Sequence, residues 1–118
     1  MRSVLVVKVT AGADAPERCL QGLSVASVAA VSGVTVSLWL AGESVWLATP
    51  DPDLLLPESP PASTLLATVL AAGRVTVCSQ CASRRSLQLS DLLPGVQIAG
   101  AASFVAEVLA DDTQALVY

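Results

Sequence analysis

The chain has 118 residues, of which 53% are hydrophobic and 14% are charged. This balance excludes a disordered protein, because such chains cannot bury enough apolar surface to offset the entropy lost on ordering. The length fits one domain over residues 1–118. Ten acidic against six basic residues and 3% aromatics argue against nucleic-acid binding through phosphate neutralisation or base stacking. The absence of histidine excludes His-based acid–base and triad catalysis and most zinc sites.

The number of cysteines and the start of the chain predict the compartment. Three cysteines are too few, and odd in number, for a small scaffold held by disulfides. The apolar run after Met1 is short and ends at Lys8, unlike a signal peptide. Residues 19–42 carry no charge, but Ser32-Gly33 interrupts them, which favours a helix, a turn and a strand over a membrane span. We therefore expect a cytoplasmic protein with reduced thiols and no membrane contact.

The first half of the chain predicts strand, helix and strand in turn. Residues 4–9 are nearly continuous Val and Leu, typical of a strand buried on both faces. A helix is expected over residues 15–31, with Asp14 as its N-cap and Gly33 after its end. Residues 34–40 alternate with a period of two and predict the second strand.

The middle of the chain contains a proline-rich loop. Residues 44–49 fit either a short helical turn or an edge strand. Residues 50–61 carry five prolines, too many for a helix interior or a central strand. Ser63 is the expected cap of a helix over residues 64–72, and residues 74–77 predict the third strand.

The rest of the chain continues the alternation. We expect a short helix over 79–87, a strand over 96–98, a helix over 100–110 and a last strand over 114–117. This order predicts an α/β fold, a three-layer α/β/α single domain with a mostly parallel five-stranded sheet. Ligands in such folds bind at the carboxyl ends of strands, which points to a cleft with Gly12, Gly42 and Glu43 near residues 78–81. For Glu43 alone, a solvated loop acid is the simpler interpretation.

Cys78 is the strongest candidate for chemistry, because it leaves a buried strand and enters a helix. The free N–H groups and the dipole at a helix start, here at Ser79 and Gln80, stabilise a thiolate. Arg84 and Arg85 would add to this if they folded back over the loop. A thiolate is the nucleophile in sulfur chemistry. The alternatives are that Cys78 is a small buried hydrophobe and that the arginines form an exposed helix face.

Cys81 completes a Cys-x-x-Cys pair with Cys78. Cys81 could resolve a bond on Cys78 in redox exchange, or simply pack in the helix. The pair could also be half of a zinc site, but zinc normally takes four ligands and, without histidine, only Cys19 remains. We therefore expect no metal within one chain, although two chains could share a site, and no cofactor. Cys19 lies in a small, apolar helix and is read as core packing.

The sequence resembles the DsrE-like sulfur-relay family, and most clearly its homomeric branch with a Cys-x-x-Cys. The matching stretches are Val-Thr-Val-Cys-Ser-Gln-Cys at 75–81, Arg84-Arg85, Leu-Leu-Pro-Gly-Val-Gln-Ile-Ala-Gly at 92–100 and Gln-Ala-Leu-Val-Tyr at 114–118. The first half resembles the family more loosely, at 4–9, in the long first helix and at 36–45. Ser86 departs from the family, in which a glycine is common at that position.

The resemblance implies a compact α/β protein that assembles into trimers, hexamers or heterohexamers. It implies that Cys78 carries sulfur as a persulfide, to be passed between sulfur donor and acceptor proteins, and that Cys81 matches a second cysteine found in some homomeric members. Three hypotheses follow: a sulfur carrier with sulfurtransferase-like activity, a non-catalytic oligomeric module that binds a ligand or partner at the strand-end cleft, and a thiol redox protein that uses both cysteines.

Overall fold

Five strands form one parallel sheet in the order β4-β3-β2-β1-β5. The computed structural model describes all 118 residues. The strands are β1 (Val4–Val9), β2 (Thr35–Leu40), β3 (Arg74–Cys78), β4 (Gln97–Ala99) and β5 (Thr113–Val117). The helices are α1 (Pro16–Val31), α2 (Ala62–Ala72), α3 (Ser79–Arg84) and α4 (Ala101–Val108), and two 3-10 helices cover Gly42–Ala48 and Leu89–Asp91. The predicted α/β architecture is confirmed, with every strand pairing parallel.

The strand order places the helices in two layers. From β1 to β4 each connection steps in one direction across the sheet, and the connection through α4 returns past β1 to β5. Because such crossovers are right-handed, α1, α2 and α3 lie on one face and α4 lies on the other. None of the helices is both long enough and apolar enough to cross a membrane.

The main core lies between the sheet and the helices α1 and α2. Strand residues alternate between the two faces, so one set of aliphatic side chains from β1, β2 and β3 meets this helical layer. The fully buried members of that set are Val7, Val9, Val36, Leu38, Leu40, Val75 and Val77. Cys19 of α1 is buried in the same cluster, which confirms its interpretation as core packing.

The opposite face of the sheet is covered by α4 alone. Val6, Ser37, Trp39 and Thr76 are buried there. Phe104 of α4 packs edge-on against the ring of Trp39, with ring centroids 5.3 Å apart. This thinner layer carries several polar and charged side chains, and they matter for the site described below.

Two predicted helix caps are wrong. Asp14 does not cap α1; its Oδ1 accepts a hydrogen bond from the N–H of Gly12 at 2.8 Å, and the helix begins at Pro16 without a side-chain cap. Ser63 lies inside α2, which begins at Ala62. The carboxylate of Asp53 instead accepts from the Ser63 N–H at 2.9 Å and from the Ser63 hydroxyl at 2.5 Å. The proline-rich loop thus supplies the polar partner for the start of α2.

Other boundaries differ by small amounts. The ambiguous segment after β2 is the 3-10 helix Gly42–Ala48, which resolves that alternative in favour of a helical turn. The helix after Cys78 ends at Arg84, three residues earlier than predicted, and Ser86 follows with a positive φ of 55°. Residues 50–61 contain no helix or strand, as predicted for a surface loop.

Candidate functional site

The carboxyl ends of β1 and β2 meet through two glycines. A Cβ on Gly12 would lie 2.6 Å from the carbonyl oxygen of Glu43, and one on Gly42 would lie 2.5 Å from that of Thr10. Gly42 also has a φ of +56°, which disfavours other residues. The predicted cleft residues Gly12, Gly42 and Glu43 therefore lie together, and both glycines permit close backbone contact.

A buried serine fixes the same junction. The Ser44 hydroxyl accepts a hydrogen bond from the N–H of Ala41 at 3.0 Å and lies 2.7 Å from the carbonyl oxygens of Val9 and Ala41. These contacts tie the end of β1 to the start of the 3-10 helix. The backbone that faces α3 is thereby held in one conformation.

Cys78 ends β3 and is the N-cap residue of α3. It is half-buried, in an extended conformation with φ −61° and ψ 124°. This position places Cys78 beside the first helical turn, although its side chain makes no capping hydrogen bond. The predicted placement of Cys78 at a strand exit and helix start matches the structure.

Opposing effects act on the Cys78 thiol. Burial raises its pKa, but the N–H and the thiol of Cys81, the N–H of Gln80 and the charge of Lys8 lower it, and the net effect is a pKa below the usual value for cysteine. A lower pKa raises the fraction of Cys78 that is present as the thiolate, the reactive form, near neutral pH.

Cys81 lies between Cys78 and the end of β2. Its Sγ accepts a hydrogen bond from the N–H of Gly42 at 3.2 Å. Cys81 also lowers the pKa of the Cys78 thiol. All three cysteines are free thiols. The second thiol of the Cys-x-x-Cys pair is therefore anchored on the Gly42 backbone and affects the ionisation of the first.

The two arginines after the cysteines have different surroundings. Arg85 donates from Nε and Nη2 to Oε2 of Glu43 at 2.9 and 2.8 Å, and from Nη1 to the carbonyl oxygen of Cys81 at 3.1 Å. The side chain of Arg84 is exposed and makes no hydrogen bond or ion pair. Arg85 and Glu43 thus fasten α3 to the 3-10 helix, and the structure brings the predicted cleft acid into the cysteine site.

Lys8 is the site residue that the sequence analysis missed. It is the only charged residue within β1, and its ammonium group lies 4.5 Å from the ring centroid of Phe104. Its charge acts on Cys78 although the two strands are separated by β2. A lysine that interrupts an otherwise aliphatic strand is the one signal that points to it.

One cleft lies beside Glu43, and another adjoins Ser79 and Ala82 of α3. The cleft beside Glu43 has a volume of about 370 Å³, and its lining residues are Ala13, Glu43, Trp46, Leu47, Pro52, Asp53 and Leu54. Neither Cys78 nor Cys81 lines any of the five main surface clefts. The thiol site is thus an open strand end, and the cleft is its neighbour across the Glu43–Arg85 ion pair.

The third cysteine is chemically separate. Burial, with a smaller contribution from the charge of Asp14, raises the pKa of Cys19 to about 11. No group of three or more Cys, Asp or Glu side chains is placed to hold a metal ion. The arrangement at Cys78 and Cys81 suits thiolate chemistry.

The chain is a small α/β protein with a parallel sheet and a cysteine at the end of the third strand. The chain belongs to the DsrE/DsrF-like family, whose model matches residues 3–114. The family resemblance and the fold predicted from the sequence are thereby confirmed.

Solved structures with the same fold come from bacteria and an archaeon. The chain is similar to the YchN protein of E. coli, with a TM-score of 0.81, 20% identity and complete coverage of both chains. It is also similar to MTH1491 of Methanobacterium thermoautotrophicum, a protein of unknown function, with a TM-score of 0.75, 14% identity and 98% coverage of both. BT1422 of Bacteroides thetaiotaomicron matches with a TM-score of 0.64 and 16% identity over 98% of this chain and 95% of that one. No curated protein is significantly similar to this chain.

Proposed function

We propose that this protein is a sulfur carrier that holds sulfane sulfur as a persulfide on Cys78 and passes it to a partner protein. The observation that carries the proposal is the half-buried Cys78 thiol at the start of α3, whose pKa is lowered by backbone N–H groups and a neighbouring thiol. Membership of the DsrE/DsrF-like family, which is associated with sulfur relay, supports it.

Loading needs no external oxidant. The Cys78 thiolate attacks the outer sulfur of a donor persulfide, R–S–SH, so that a new S–S bond forms on Cys78. The donor's own S–S bond breaks, and its inner sulfur leaves as the thiolate R–S⁻. The helix-start N–H groups that lower the Cys78 pKa keep the attacking sulfur ionised.

Unloading has two balanced routes. An acceptor thiolate can attack the outer sulfur of the persulfide, take that sulfur and leave Cys78 as a thiolate. Alternatively, the Cys81 thiolate attacks the inner sulfur on Cys78, a Cys78–Cys81 disulfide forms and hydrosulfide leaves. The second route then requires a dithiol reductant before the next cycle.

The test is intact-mass spectrometry after incubation with a small-molecule persulfide donor, on the wild type, Cys78→Ser and Cys81→Ser. We expect the wild type and Cys81→Ser to gain about 32 Da, the mass of one sulfur atom added through a new S–S bond. We expect Cys78→Ser to gain nothing. An unchanged wild-type mass, together with slow alkylation of Cys78, would overturn the proposal. That result would favour a module that binds a ligand in the cleft at Glu43.

A thiol redox protein is the second candidate, because Cys78 and Cys81 are free thiols three residues apart at the start of α3. This function requires a reversible Cys78–Cys81 disulfide. Incubation in a series of glutathione redox buffers, with the two states separated by mass after alkylation, measures that couple. If the wild type forms this disulfide readily but takes up no added sulfur, the results support the redox function.

We also propose that the chain works as a homo-oligomer in the cytoplasm, either a trimer or a hexamer, with sulfur donor and acceptor proteins as transient partners. The apolar side chains left exposed on α4 and β5 support an assembly, because such surface is costly to leave in water. Sedimentation velocity measures the state directly.

A further inference from the structure

Lys8 occupies an unusual place on the face of the sheet that α4 covers. The parallel register puts Lys8 level with Trp39 of β2, and Trp39 level with Thr76 of β3. Cys78 follows two residues after Thr76, so it has the same facing as Lys8 and Trp39. The charge of Lys8 acts on Cys78 across this row.

The ammonium group of Lys8 is held by an aromatic pair. It lies 4.5 Å from the ring centroid of Phe104, and the Phe104 ring packs edge-on against Trp39. Such a contact with a ring face stabilises a cation without neutralising it. Lys8 therefore keeps its positive charge available near the end of the sheet.

Apart from Arg84, which is exposed on α3, the other charged side chains around Cys78 form ion pairs. On the same face, Arg74 of β3 and Glu107 of α4 form an ion pair at 3.4 Å. On the other side, Arg85 pairs with Glu43. Lys8 makes no ion pair and no side-chain hydrogen bond, although it is half-buried. A half-buried cation without an anion partner is a ready binding partner for one.

We propose that Lys8 binds the terminal sulfur of the Cys78 persulfide anion and so acts as the residue that holds the carried sulfur in its ionised form until an acceptor arrives. This inference rests on the proposed function, since it names the group that stabilises the cargo of that same site.

The geometry of a persulfide explains why a second group is needed. The N–H groups of Gln80 and Cys81 lower the pKa of the Cys78 sulfur itself. In a persulfide, the negative charge moves to the outer sulfur, about 2 Å further out along the new bond. A flexible ammonium on a four-carbon stem can follow the charge, whereas backbone donors cannot.

The experiment compares Lys8→Met and Lys8→Arg with the wild type in two measurements. The first is the pH profile of Cys78 alkylation in the unloaded protein. The second is the pH profile of sulfur transfer from preloaded protein to a small thiol acceptor, followed by mass. Lys8→Met keeps the apolar stem, and Lys8→Arg keeps the charge and can still stack on Phe104.

We expect Lys8→Met to slow alkylation at pH 7 by about fivefold, the size of one charge acting through partly screened surroundings. Its persulfide should lose ionisation at a higher pH than that of the wild type, and the shift should exceed the shift for the thiol. Lys8→Arg should restore both profiles. Arg2→Met, which removes one positive charge at the amino ends of β1 and β5, should leave both unchanged.

Different outcomes separate the two ideas. A wild type that takes up no sulfur overturns the proposed function. A wild type that takes up sulfur, together with Lys8→Met profiles equal to those of the wild type, overturns the role of Lys8 alone. The role of Lys8 is also contradicted if Lys8→Arg behaves like Lys8→Met while its melting temperature is unchanged. Arginine keeps the positive charge at position 8, and that charge is what the proposal requires.

Discussion

The chemistry of the Cys78 sulfur depends on donors that come from several parts of the chain. Two N–H groups of α3 and the Cys81 thiol lower its pKa, and Gly42 holds that second thiol in place. A helix start alone is a common feature of α/β proteins. The addition of a positioned thiol and a nearby cation is what distinguishes this cysteine from one that merely ends a strand.

Replacing Cys81 tests the thiol's share of this effect. In Cys81→Ala, Cys78 loses one hydrogen-bond donor, so its pKa should rise and its alkylation at pH 7 should slow by about fivefold, the equivalent of one hydrogen bond of about 1 kcal/mol. Cys81→Ser keeps a donor and is the matched control. Iodoacetamide kinetics across pH measure both. Equal profiles for the Ala and Ser variants would show that the backbone alone lowers the pKa.

Cys19 provides an internal reference for thiol reactivity. Burial holds its pKa at about 11, so the thiolate is scarce at neutral pH and the sulfur is also inaccessible. We expect native protein to be alkylated at Cys78 first, and at Cys19 only after denaturant is added, with peptide mapping as the measurement. Rapid native labelling of Cys19 would mean that α1 separates from the sheet.

The cysteine site was predictable because its parts lie within four residues. The order strand, Cys, Ser, Gln, Cys places a thiol at a helix start from local pattern alone. Lys8 was not predictable in this way, since its contact with the site crosses β2 and depends on strand order. The pairing of Arg85 with Glu43, 42 residues apart in sequence, was hidden for the same reason.

At the scale of the element, the start of α2 depends on a partner ten residues earlier in the chain. Ser63 follows the usual pattern of a cap, yet it donates to Asp53. Capping rules read a helix start from its adjacent residues, so they assigned the role to the wrong side chain. The proline-rich loop is therefore more than a connection, because it holds the first turn of α2.

Asp53→Ala should lower the free energy of unfolding by about 1 kcal/mol, as for the loss of a helix cap. The hydrogen bond from the Ser63 hydroxyl is the largest of the effects that lower the pKa of Asp53 in the folded state. The carboxylate therefore stabilises the folded protein above the pKa that Asp53 has in the unfolded chain. This stabilisation is lost as the pH falls through the lower pKa of the folded state. Urea unfolding of both proteins at pH 7 and in acid measures this.

The control is Asp51→Ala, which removes an exposed acid from the same loop whose carboxylate accepts no hydrogen bond. A loss of stability in Asp51→Ala as large as in Asp53→Ala would point to loop charge and against a specific cap. The difference between Asp53→Ala and wild type should shrink in acid.

Helix α4 has no buried residue of its own, so its attachment depends on a few contacts. Glu107 accepts hydrogen bonds from the buried Ser37 hydroxyl at 2.5 Å and from the Trp39 indole at 3.2 Å. Arg74 completes the cluster at 3.4 Å. One carboxylate therefore joins α4 to two strands and satisfies two polar groups inside the sheet face.

Glu107→Ala should cost about 2 kcal/mol, because it leaves two buried donors without partners. Glu107→Gln keeps an acceptor oxygen and should cost less. Chemical unfolding gives the free energies, and near-ultraviolet circular dichroism reports the packing of Trp39. If Glu107→Gln were as damaging as Glu107→Ala, the charge and its ion pair, and not the accepted hydrogen bonds, would be the stabilising interaction.

At the scale of the whole molecule, the two faces of the sheet are unequal. The alternation of strands and helices in the sequence predicts the layers and the strand-end location of the site, since both follow from chain order. It does not reveal that α4 covers its face so thinly. Val105, Leu109 and Val117 remain 49%, 77% and 64% exposed on that side.

These side chains lead to a prediction about assembly. If the α4 face is the surface through which copies associate, a charge placed there must be desolvated without a partner, which opposes association. Leu109→Asp should therefore shift the sedimentation coefficient toward that of a 12.0 kDa monomer and leave the far-ultraviolet circular dichroism unchanged.

Leu55→Asp is the matched control, because Leu55 is a comparably exposed leucine on the proline-rich loop. Dissociation by the Leu55 substitution and not by the Leu109 substitution would place the contact on the loop side. Because Cys78 and Lys8 lie on the face that α4 covers, an assembly through this face would also determine how a partner reaches the sulfur, and sulfur transfer in Leu109→Asp would change with it.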